Sequence, residues 1–391
     1  MRRRIVLFCG GSGASQLVRT YTEMDQVDLT VLVNCYDDGL SSGALRDYIP
    51  GMLGPSDVRK NVRNSLRRNR DAFAGLNRIL GLRFGDDLEG SAMLARPLSV
   101  LRGAEVTGSL SRRSTASLTD AVDRFASYMQ SKDRGLSLRD VALGNIVFAG
   151  IYLEHRDFNE AVRAFAELAG IQTRVLNLTD GGDLKLAALT DGGLVVPSES
   201  GISWLQSSDK LADVFLLDGY LTETDTRLVD GLSKQAKLEY LSARSRVPRI
   251  NLEAREAIVN ADAIVYWPGT QHSSLFPSYL TDGLADAIAG SKARRKVLVM
   301  NVWKDNDICN ESAYSLVDKF FWFMSGKGRR VYEVKCLVTD ILLNQACDHT
   351  RAPALPLGSP TQPCRGAAIH VDDWSDGQGK HAVSRMLAWL S

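Results

Sequence analysis

The sequence lacks the features of several large classes of protein. Its six cysteines include no C-x-x-C pair, so a zinc site is not indicated. No apolar run is long enough to span a membrane, and a formal net charge of +1 gives no overall attraction to nucleic acid or to an anionic membrane. Four of the five histidines have no acidic or nucleophilic partner at useful spacing, so no Ser-His-Asp triad is indicated.

The composition is that of a large α/β protein. The 391 residues are 45% hydrophobic and 24% charged, which suffices for one large α/β domain with additions or for two domains. Cys9 and Cys35 fall at the ends of predicted strands, where packing as small apolar side chains is the favoured role. The arginines at residues 2–4 lead into a short strand rather than a signal-peptide core, so we expect a cytoplasmic protein.

Two loops of small residues follow two predicted buried strands near the N-terminus. Residues 5–9 form an apolar run that opens into a glycine-rich loop at residues 10–13, and helical spacing follows. Residues 29–35 form a second such run, which ends in a loop at residues 37–43. Loops at the carboxyl ends of parallel strands hold anionic ligands, and the N–H groups of a glycine-rich loop can turn toward a phosphate. The pattern therefore predicts a phosphate site at the first loop.

The second loop places two carboxylates, Asp37 and Asp38, before the hydroxyls of Ser41 and Ser42. Two carboxylates beside a bound anion would repel it, so this arrangement is expected where a divalent cation or a sugar hydroxyl lies between them. We therefore expect Asp37 and Asp38 to bind a metal ion or to orient a hydroxyl group of a substrate.

Three polar residues further along the chain each allow two interpretations. Arg59 follows a predicted helix start, where it either joins a solvated face or reaches the phosphate. Asn145, after Gly144, either caps a helix or offers a donor and an acceptor to a ligand. His272 either bonds within its own loop or contacts a ligand. The sequence alone leaves these alternatives open.

The middle of the chain predicts additions to a single α/β domain that spans 1–391. A helical insertion or lid is expected at 74–135, with a polar interruption at 108–117. A small, mainly antiparallel β-rich subdomain is expected at 171–245, with Asp-Gly turns between short strands. The strands expected in this subdomain lie at 173–178, 184–189, 193–196, 214–217 and 238–240.

After residue 251 the α/β alternation returns. A strand at 263–267 runs into a third loop of small and hydroxyl residues at 268–274. A further strand at 296–302 includes Asn301 near its end, and another strand is expected at 331–337. Polar loops thus follow at least four predicted parallel strands, and we expect them to meet at one edge of the sheet.

The order of these motifs resembles a known superfamily. They are similar to those of 2-phospho-L-lactate transferase of deazaflavin-coenzyme synthesis and of the gluconeogenesis factors, which bind uridine-diphosphate sugars. Leu40 stands where the gluconeogenesis factors have glycine, which marks a divergent member. The pieces that carry the resemblance are Gly10-Gly11-Ser12-Gly13, Asp37-Asp38-Gly39-x-Ser41-Ser42-Gly43, Pro55-x-Asp57-Val58-Arg59-x-Asn61, Gly144-Asn145 and Pro268-Gly269-Thr270 with Ser273-Ser274.

The resemblance implies a three-layer α/β/α, Rossmann-like fold with a mostly parallel sheet and a nucleotide diphosphate across its strand ends. In the transferase branch a nucleotide-activated phospholactyl or related group passes to an alcohol, with Mg²⁺ as cofactor. Asp37, Asp38 and Arg59 would be catalytic, and the two aspartates would bind the metal. The residues expected to bind the nucleotide or nucleotide sugar are Gly10, Gly11, Ser12, Gly13, Ser41, Ser42, Asp57, Asn61, Gly144, Asn145, Pro268, Gly269, Thr270, Ser273 and Asn301.

Three functional hypotheses follow. The first is a transferase that moves a phosphate-linked group from a nucleotide-diphosphate-activated donor to an acceptor hydroxyl. The second is a non-catalytic regulatory protein that binds a nucleotide sugar. A dinucleotide oxidoreductase is disfavoured, because Gln16 occupies the place of the third glycine of its fingerprint. No nucleic-acid or membrane partner is expected, and a homodimer is compatible with this type of sheet, which often pairs through peripheral helices.

Overall fold

The computed structural model describes residues 2–67, 71–84, 98–103, 112–205, 209–345, 353–360, 366–376 and 380–390. Within these residues the chain forms one sheet of seven strands and one of three. The strands are β1 (Arg3–Phe8), β2 (Val27–Val33), β3 (Arg174–Asn177), β4 (Lys185–Thr190), β5 (Val195–Val196), β6 (Leu211–Leu217), β7 (Ala263–Tyr266), β8 (Arg295–Val299), β9 (Asp340–Asn344) and β10 (Ala368–Asp372).

Helices cover the larger sheet and connect its strands. Those described are α1 (Ser15–Glu23), α2 (Leu40–Tyr48), α3 (Ser56–Asn64), α4 (Asp71–Gly81), α5 (Arg112–Gln130), α6 (Leu143–His155), α7 (Phe158–Ala169), α8 (Glu199–Ser203), α9 (Glu223–Asp230), α10 (Lys234–Arg244), α11 (Leu252–Val259), α12 (Phe276–Tyr279), α13 (Leu284–Ala289), α14 (Ala313–Met324), α15 (Val334–Leu337) and α16 (Val383–Leu390). A π-helical turn at Gln271–Leu275 precedes α12, and a 3₁₀ turn lies at Asn306–Ile308.

The seven-stranded sheet is parallel throughout, in the order β10-β9-β8-β7-β1-β2-β3. Its central strands are apolar and buried, and β7 is buried at every position. A parallel strand with both faces buried needs helices on both sides, so this sheet is the middle layer of an α/β/α fold. The predicted fold class is confirmed, including the small antiparallel sheet, whose order is β5-β4-β6.

Two strand predictions are wrong, and a third strand lies in a different sheet from the one predicted. Residues 238–240 lie in α10, which begins after Ser233, whose hydroxyl accepts the Ala236 N–H as a helix cap. Residues 334–337 form α15, and the strand begins only at Asp340, where it comes into register with Val297 of β8. Residues 174–177 form a strand as expected, but it pairs with β2 in the large sheet, because α7 returns the chain to that edge.

The predicted helical insertion contains α4 and α5, and residues 104–111, which hold much of its predicted polar interruption, lie outside the described residues. Helices α5 and α6 pack with backbones close together. A Cβ on Gly150 of α6 would stand 1.8 Å from the carbonyl oxygen of Ala121 in α5, so only glycine permits this approach. Cys9 and Cys35 are buried free thiols, in keeping with their predicted packing role. Among the helices described, none combines the length and apolar character needed to cross a membrane.

Candidate functional site

Four of the strand-end loops line one cavity of about 1190 Å³. Strands β8, β7, β1 and β2 are neighbours and run in the same direction, so the loops that follow them emerge at one edge of the sheet. The sequence-predicted residues that line this cavity are Gly10, Gly11, Ser12, Gly13, Asp37, Asp57, Pro268, Gly269, Thr270 and Asn301.

The glycine loop between β1 and α1 packs against an ion pair on α3. The Lys60 ammonium lies 3.0 Å from Oδ1 of Asp57, one turn apart on the helix. A Cβ on Gly11 would stand 2.3 Å from that Oδ1 atom and 2.8 Å from Nζ of Lys60, so glycine allows the pair to touch the loop backbone. Burial raises the pKa of Asp57, and the Asp57 carboxylate raises the pKa of Lys60. The loop therefore has a fixed cation beside it.

Asn61 fixes the position of the glycine loop rather than lining the cavity. Its side-chain amide donates to the carbonyl oxygens of Gly10 and Asp57, both at 3.0 Å, and the residue is fully buried. Its side-chain oxygen accepts the Cys9 thiol at 3.7 Å. These bonds connect the end of β1 to α3, so the asparagine sets the distance between the glycine loop and Lys60.

Asp37 is the first residue of a chain of hydrogen bonds that leads away from the cavity. Its carboxylate accepts the Ser42 hydroxyl at 2.5 Å, and the Ser42 hydroxyl lies 2.6 Å from that of Ser56. The Asn145 amide donates to the hydroxyls of Ser56 and Ser41, at 3.1 and 3.3 Å. Asn145 is fully buried, so it supports the aspartate loop from behind and does not line the cavity.

The carboxylate of Asp38 is occupied by protein groups. It accepts the Tyr220 hydroxyl at 2.7 Å and lies 3.9 Å from the guanidinium of Arg46. That guanidinium is buried and also donates to the Tyr36 carbonyl and to Asp183, at 2.9 and 3.0 Å. Burial raises the pKa of Asp38. Asp38 therefore connects the aspartate loop to the loop after β6, and it does not line the cavity.

Glu199 is an acidic residue of the cavity that the sequence did not single out. It begins α8, is 7% exposed, and accepts the Asp38 backbone N–H at 3.3 Å and the Ser203 hydroxyl at 2.7 Å. Burial, together with the negative charge of Asp37, raises the pKa of Glu199 to about 7. No local motif marks this glutamate, because it is the chain path after β5 that brings it to the aspartate loop.

Side-chain amides connect the loop after β7 to the loop after β8. Asn301 donates to the Gly269 carbonyl at 3.0 Å and accepts the Gln271 amide at 2.6 Å. The Trp267 indole N–H donates to the Gly13 carbonyl at 3.1 Å, which joins this part of the site to the glycine loop. Ser274, which belongs to the motif that carries the resemblance, also lines the cavity here. The sequence did not single out the other residues that complete the lining, namely Trp303, Lys304, Asp305, Lys380 and His381.

A sequence model described as 2-phospho-L-lactate transferase CofD matches residues 5–354, nearly the whole chain. The chain belongs to the CofD family. Two curated proteins are similar to this chain at low identity. A putative gluconeogenesis factor of Thermotoga maritima is 24% identical over 76% of this chain and 68% of its own length. A gluconeogenesis factor of Halalkalibacterium halodurans is 26% identical over 78% of this chain and 68% of its own.

A solved structure agrees on the fold of this CofD-family chain. The crystal structure of a Bacillus halodurans protein described as a member of the UPF0052 family superimposes with a TM-score of 0.67 at 22% identity. The alignment covers 100% of this chain and 99% of that one. The α/β architecture is therefore shared over the full length.

Arg59 and Gly144 of this CofD-family chain lie outside the cavity lining, against each other. Arg59 is 2% exposed, and a Cβ on Gly144 would stand 2.8 Å from its Cδ atom. Burial lowers the pKa of Arg59 to about 10. Ser273 is also buried, with its backbone N–H 3.3 Å from a carboxylate oxygen of Asp307. These residues are buried outside the cavity lining.

Proposed function

We propose that this chain is a transferase that moves a phosphate-linked group from a nucleotide-diphosphate-activated donor to an acceptor hydroxyl. The observation that carries the proposal is a single cavity lined by a glycine loop, a lysine and the carboxylates of Asp37 and Glu199. The loop at residues 10–13 and Lys60 suit a diphosphate, and Asp37 with Glu199 suits the hydroxyl or a cation. Membership of a family described as a transferase supports the same reaction class.

In this proposal the chain acts mainly by position and charge. The diphosphate lies on the backbone of residues 10–13, and the Lys60 ammonium faces its oxygens. The acceptor hydroxyl lies toward Asp37 and Glu199, where a carboxylate can accept its proton. Phosphate-ester transfer needs little covalent help from a protein, since fixed charges and dipoles around the oxygens do most of the stabilisation.

The residues present fit a magnesium ion in one arrangement. Among the described residues, no three His, Cys, Asp or Glu side chains are grouped closely enough to hold a metal alone. Mg²⁺ is usually held by one or two carboxylates together with substrate phosphates, and Asp37 can supply such a carboxylate. Asp38 is already bonded to Tyr220, so we propose Asp37 rather than the pair as the ligand. Bound there, the ion would neutralise charge on the phosphate oxygens.

The test is an Asp37→Asn variant, with exposed Asp25→Asn as the matched control. Release of nucleoside monophosphate is followed in the presence of Mg²⁺ and candidate alcohols. The donors are nucleotide sugars and phospholactate joined to a nucleoside monophosphate through a diphosphate linkage, so that transfer of the phosphate-linked group to the alcohol breaks this linkage. We expect turnover to fall at least about 100-fold in Asp37→Asn, since charge stabilisation by a bound metal is worth several kcal/mol. Unchanged turnover would remove this carboxylate from the mechanism.

A second candidate is a non-catalytic regulatory protein that binds a nucleotide sugar. The names of the two curated relatives, both gluconeogenesis factors, favour it. It would use the same glycine loop and need no acceptor. Tight binding of a nucleotide sugar, with no nucleoside monophosphate released over long incubation in any acceptor mixture, would support this function over the transferase. The cytoplasmic location, the homodimer and the division into subdomains stay predictions.

A further inference from the structure

In the C-terminal segment, which is described at residues 366–376 and 380–390, Lys380, His381 and Val383 line the cavity although they lie beyond the matched family region, which ends at residue 354. The segment forms β10, which pairs with β9 at the edge of the large sheet, and α16. Between these elements it places His381 against the loop that follows β8, where the residue lines the cavity. The site thus has a wall that the family match does not include.

The orientation of the His381 ring is determined by its neighbours. Nε2 lies 3.0 Å from the carbonyl oxygen of Met300, and a carbonyl only accepts, so Nε2 carries the proton. The ring also packs 5.1 Å from the Trp267 ring, centroid to centroid. In the neutral ring Nδ1 is then an acceptor, and it makes no hydrogen bond to the residues that the structure describes. Burial lowers the pKa of His381 to about 4, so the ring is neutral at pH 7.

The two ends of the cavity differ in their chemistry. The β2 end carries the carboxylates of Asp37 and Glu199, whereas the end formed by the loops after β7 and β8 carries the rings of Trp267, Trp303 and His381 together with Lys304, Asp305 and Lys380. The glycine loop lies between them, since the Trp267 indole donates to Gly13 of that loop. A ligand with its diphosphate on this loop therefore extends one part toward the acids and the other toward the rings.

A nucleoside matches the aromatic end. A base is a flat ring that can pack on the half-buried Trp303, whereas Trp267 is 2% exposed and serves to position the His381 ring. Bases and ribose also carry N–H or O–H donors that a neutral imidazole nitrogen can accept. The acidic end instead suits a group rich in hydroxyls or a cation. We infer that the C-terminal segment forms the nucleoside subsite, with His381 Nδ1 accepting a hydrogen bond from the base or ribose. This inference rests on the proposed binding of a nucleotide diphosphate.

The experiment measures binding of GDP, UDP, ADP and CDP, with pyrophosphate as the probe for the phosphate part alone, by isothermal titration calorimetry. The variants are His381→Phe and His381→Gln, and the second keeps an amide donor for Met300. His370→Phe is the matched control, since His370 lies on β10 outside the cavity, where it bonds Asp340 and packs on Trp389.

We expect the best-bound nucleoside diphosphate to lose about two- to tenfold in affinity in both His381 variants, the value of one hydrogen bond. Pyrophosphate affinity should stay within twofold, which also shows that the variants are folded, and His370→Phe should match the wild type. Equal loss of both probes, or no loss of either, overturns the nucleoside subsite while leaving the phosphate site in place. A wild-type protein that binds none of the five probes overturns the proposed function as well.

Discussion

Substitution of Glu199 tests whether its carboxyl group is buried beside the charge of Asp37, as the structure shows. The side chain is 7% exposed, and burial with the nearby charge of Asp37 raises its pKa from 4.5 to about 7. Its two oxygens accept from the Asp38 N–H and the Ser203 hydroxyl. In Glu199→Gln the amide oxygen can still accept the Asp38 N–H. The amide nitrogen can donate to the Ser203 hydroxyl oxygen, because a hydroxyl group can also act as an acceptor. The substitution therefore removes the charge and keeps the contacts.

Proton linkage gives the sign and the size of the expected change in the free energy of unfolding. Between pH 4.5 and about 7 the folded protein keeps a proton on Glu199 that the unfolded chain has lost, so the free energy of unfolding falls as the pH rises through this window. At about 1.36 kcal/mol per pH unit, the ionised carboxyl destabilises the unliganded protein by about 3 kcal/mol above pH 7. Glu199→Gln should recover about this amount at pH 8 and almost none at pH 4.5.

The measurement is urea unfolding of the ligand-free protein at pH values from 4.5 to 8, with Glu256→Gln, an exposed carboxylate, as the control. The difference between Glu199→Gln and the wild type should grow with pH and level off near pH 8, while the control follows the wild type. Parallel pH profiles for Glu199→Gln and wild type would show that this carboxyl is not held in the buried, acidic environment that the structure describes.

Two glycine substitutions test packing and the site separately, with Gly135→Ala as a common control because nothing lies within 4 Å of its added Cβ. Gly150→Ala should lower the free energy of unfolding, measured in urea, by about 3 kcal/mol, because the new methyl group would stand 1.8 Å from a backbone oxygen of α5. A free energy of unfolding as high as that of Gly135→Ala would contradict this packing. Gly11→Ala should keep the fold but displace the Asp57–Lys60 pair from the loop and weaken pyrophosphate binding at least about tenfold by calorimetry. Unchanged affinity would place the phosphate elsewhere.

The large sheet and the meeting of its loops could be predicted because both are local patterns repeated along the chain. A buried apolar run followed by small and polar residues identifies a strand end, and parallel strands put such ends at one edge. Residues 5–13 and 263–270 are examples, and both loops line the cavity. The strand errors arose where tertiary context decides. The strand at residues 174–177 was predicted in the small sheet but lies in the large one, because the sequence of one strand does not determine which strand it pairs with.

Glu199 and His381 were not predicted as residues of the site for a different reason from the strand errors. Glu199 and His381 lie far along the chain from the loops they join, and no motif surrounds either of them. Lys60 is different, because its position one turn after Asp57 on a predicted helix carries a signal for an ion pair. Asn145 was expected either to cap a helix or to bind the ligand, but it lies buried behind the aspartate loop, and burial is a property of packing that spacing does not report.

Asp37 and Asp38 are equivalent in the sequence, and the fold makes them different. The buried guanidinium of Arg46 and the Tyr220 hydroxyl offset the charge of Asp38, so that carboxylate is satisfied within the protein. Asp37 receives only neutral donors, and the carboxyl of Glu199 beside it has its pKa raised rather than lowered. Among the described residues neither Asp37 nor Glu199 forms an ion pair, although Lys60, Lys304 and Lys380 also line the cavity. The repulsion between the two carboxylates, which helps to raise the pKa of Glu199, destabilises the empty protein. A ligand that brings positive charge to these two carboxylates would relieve this cost, which is consistent with the magnesium ion proposed to accompany the diphosphate.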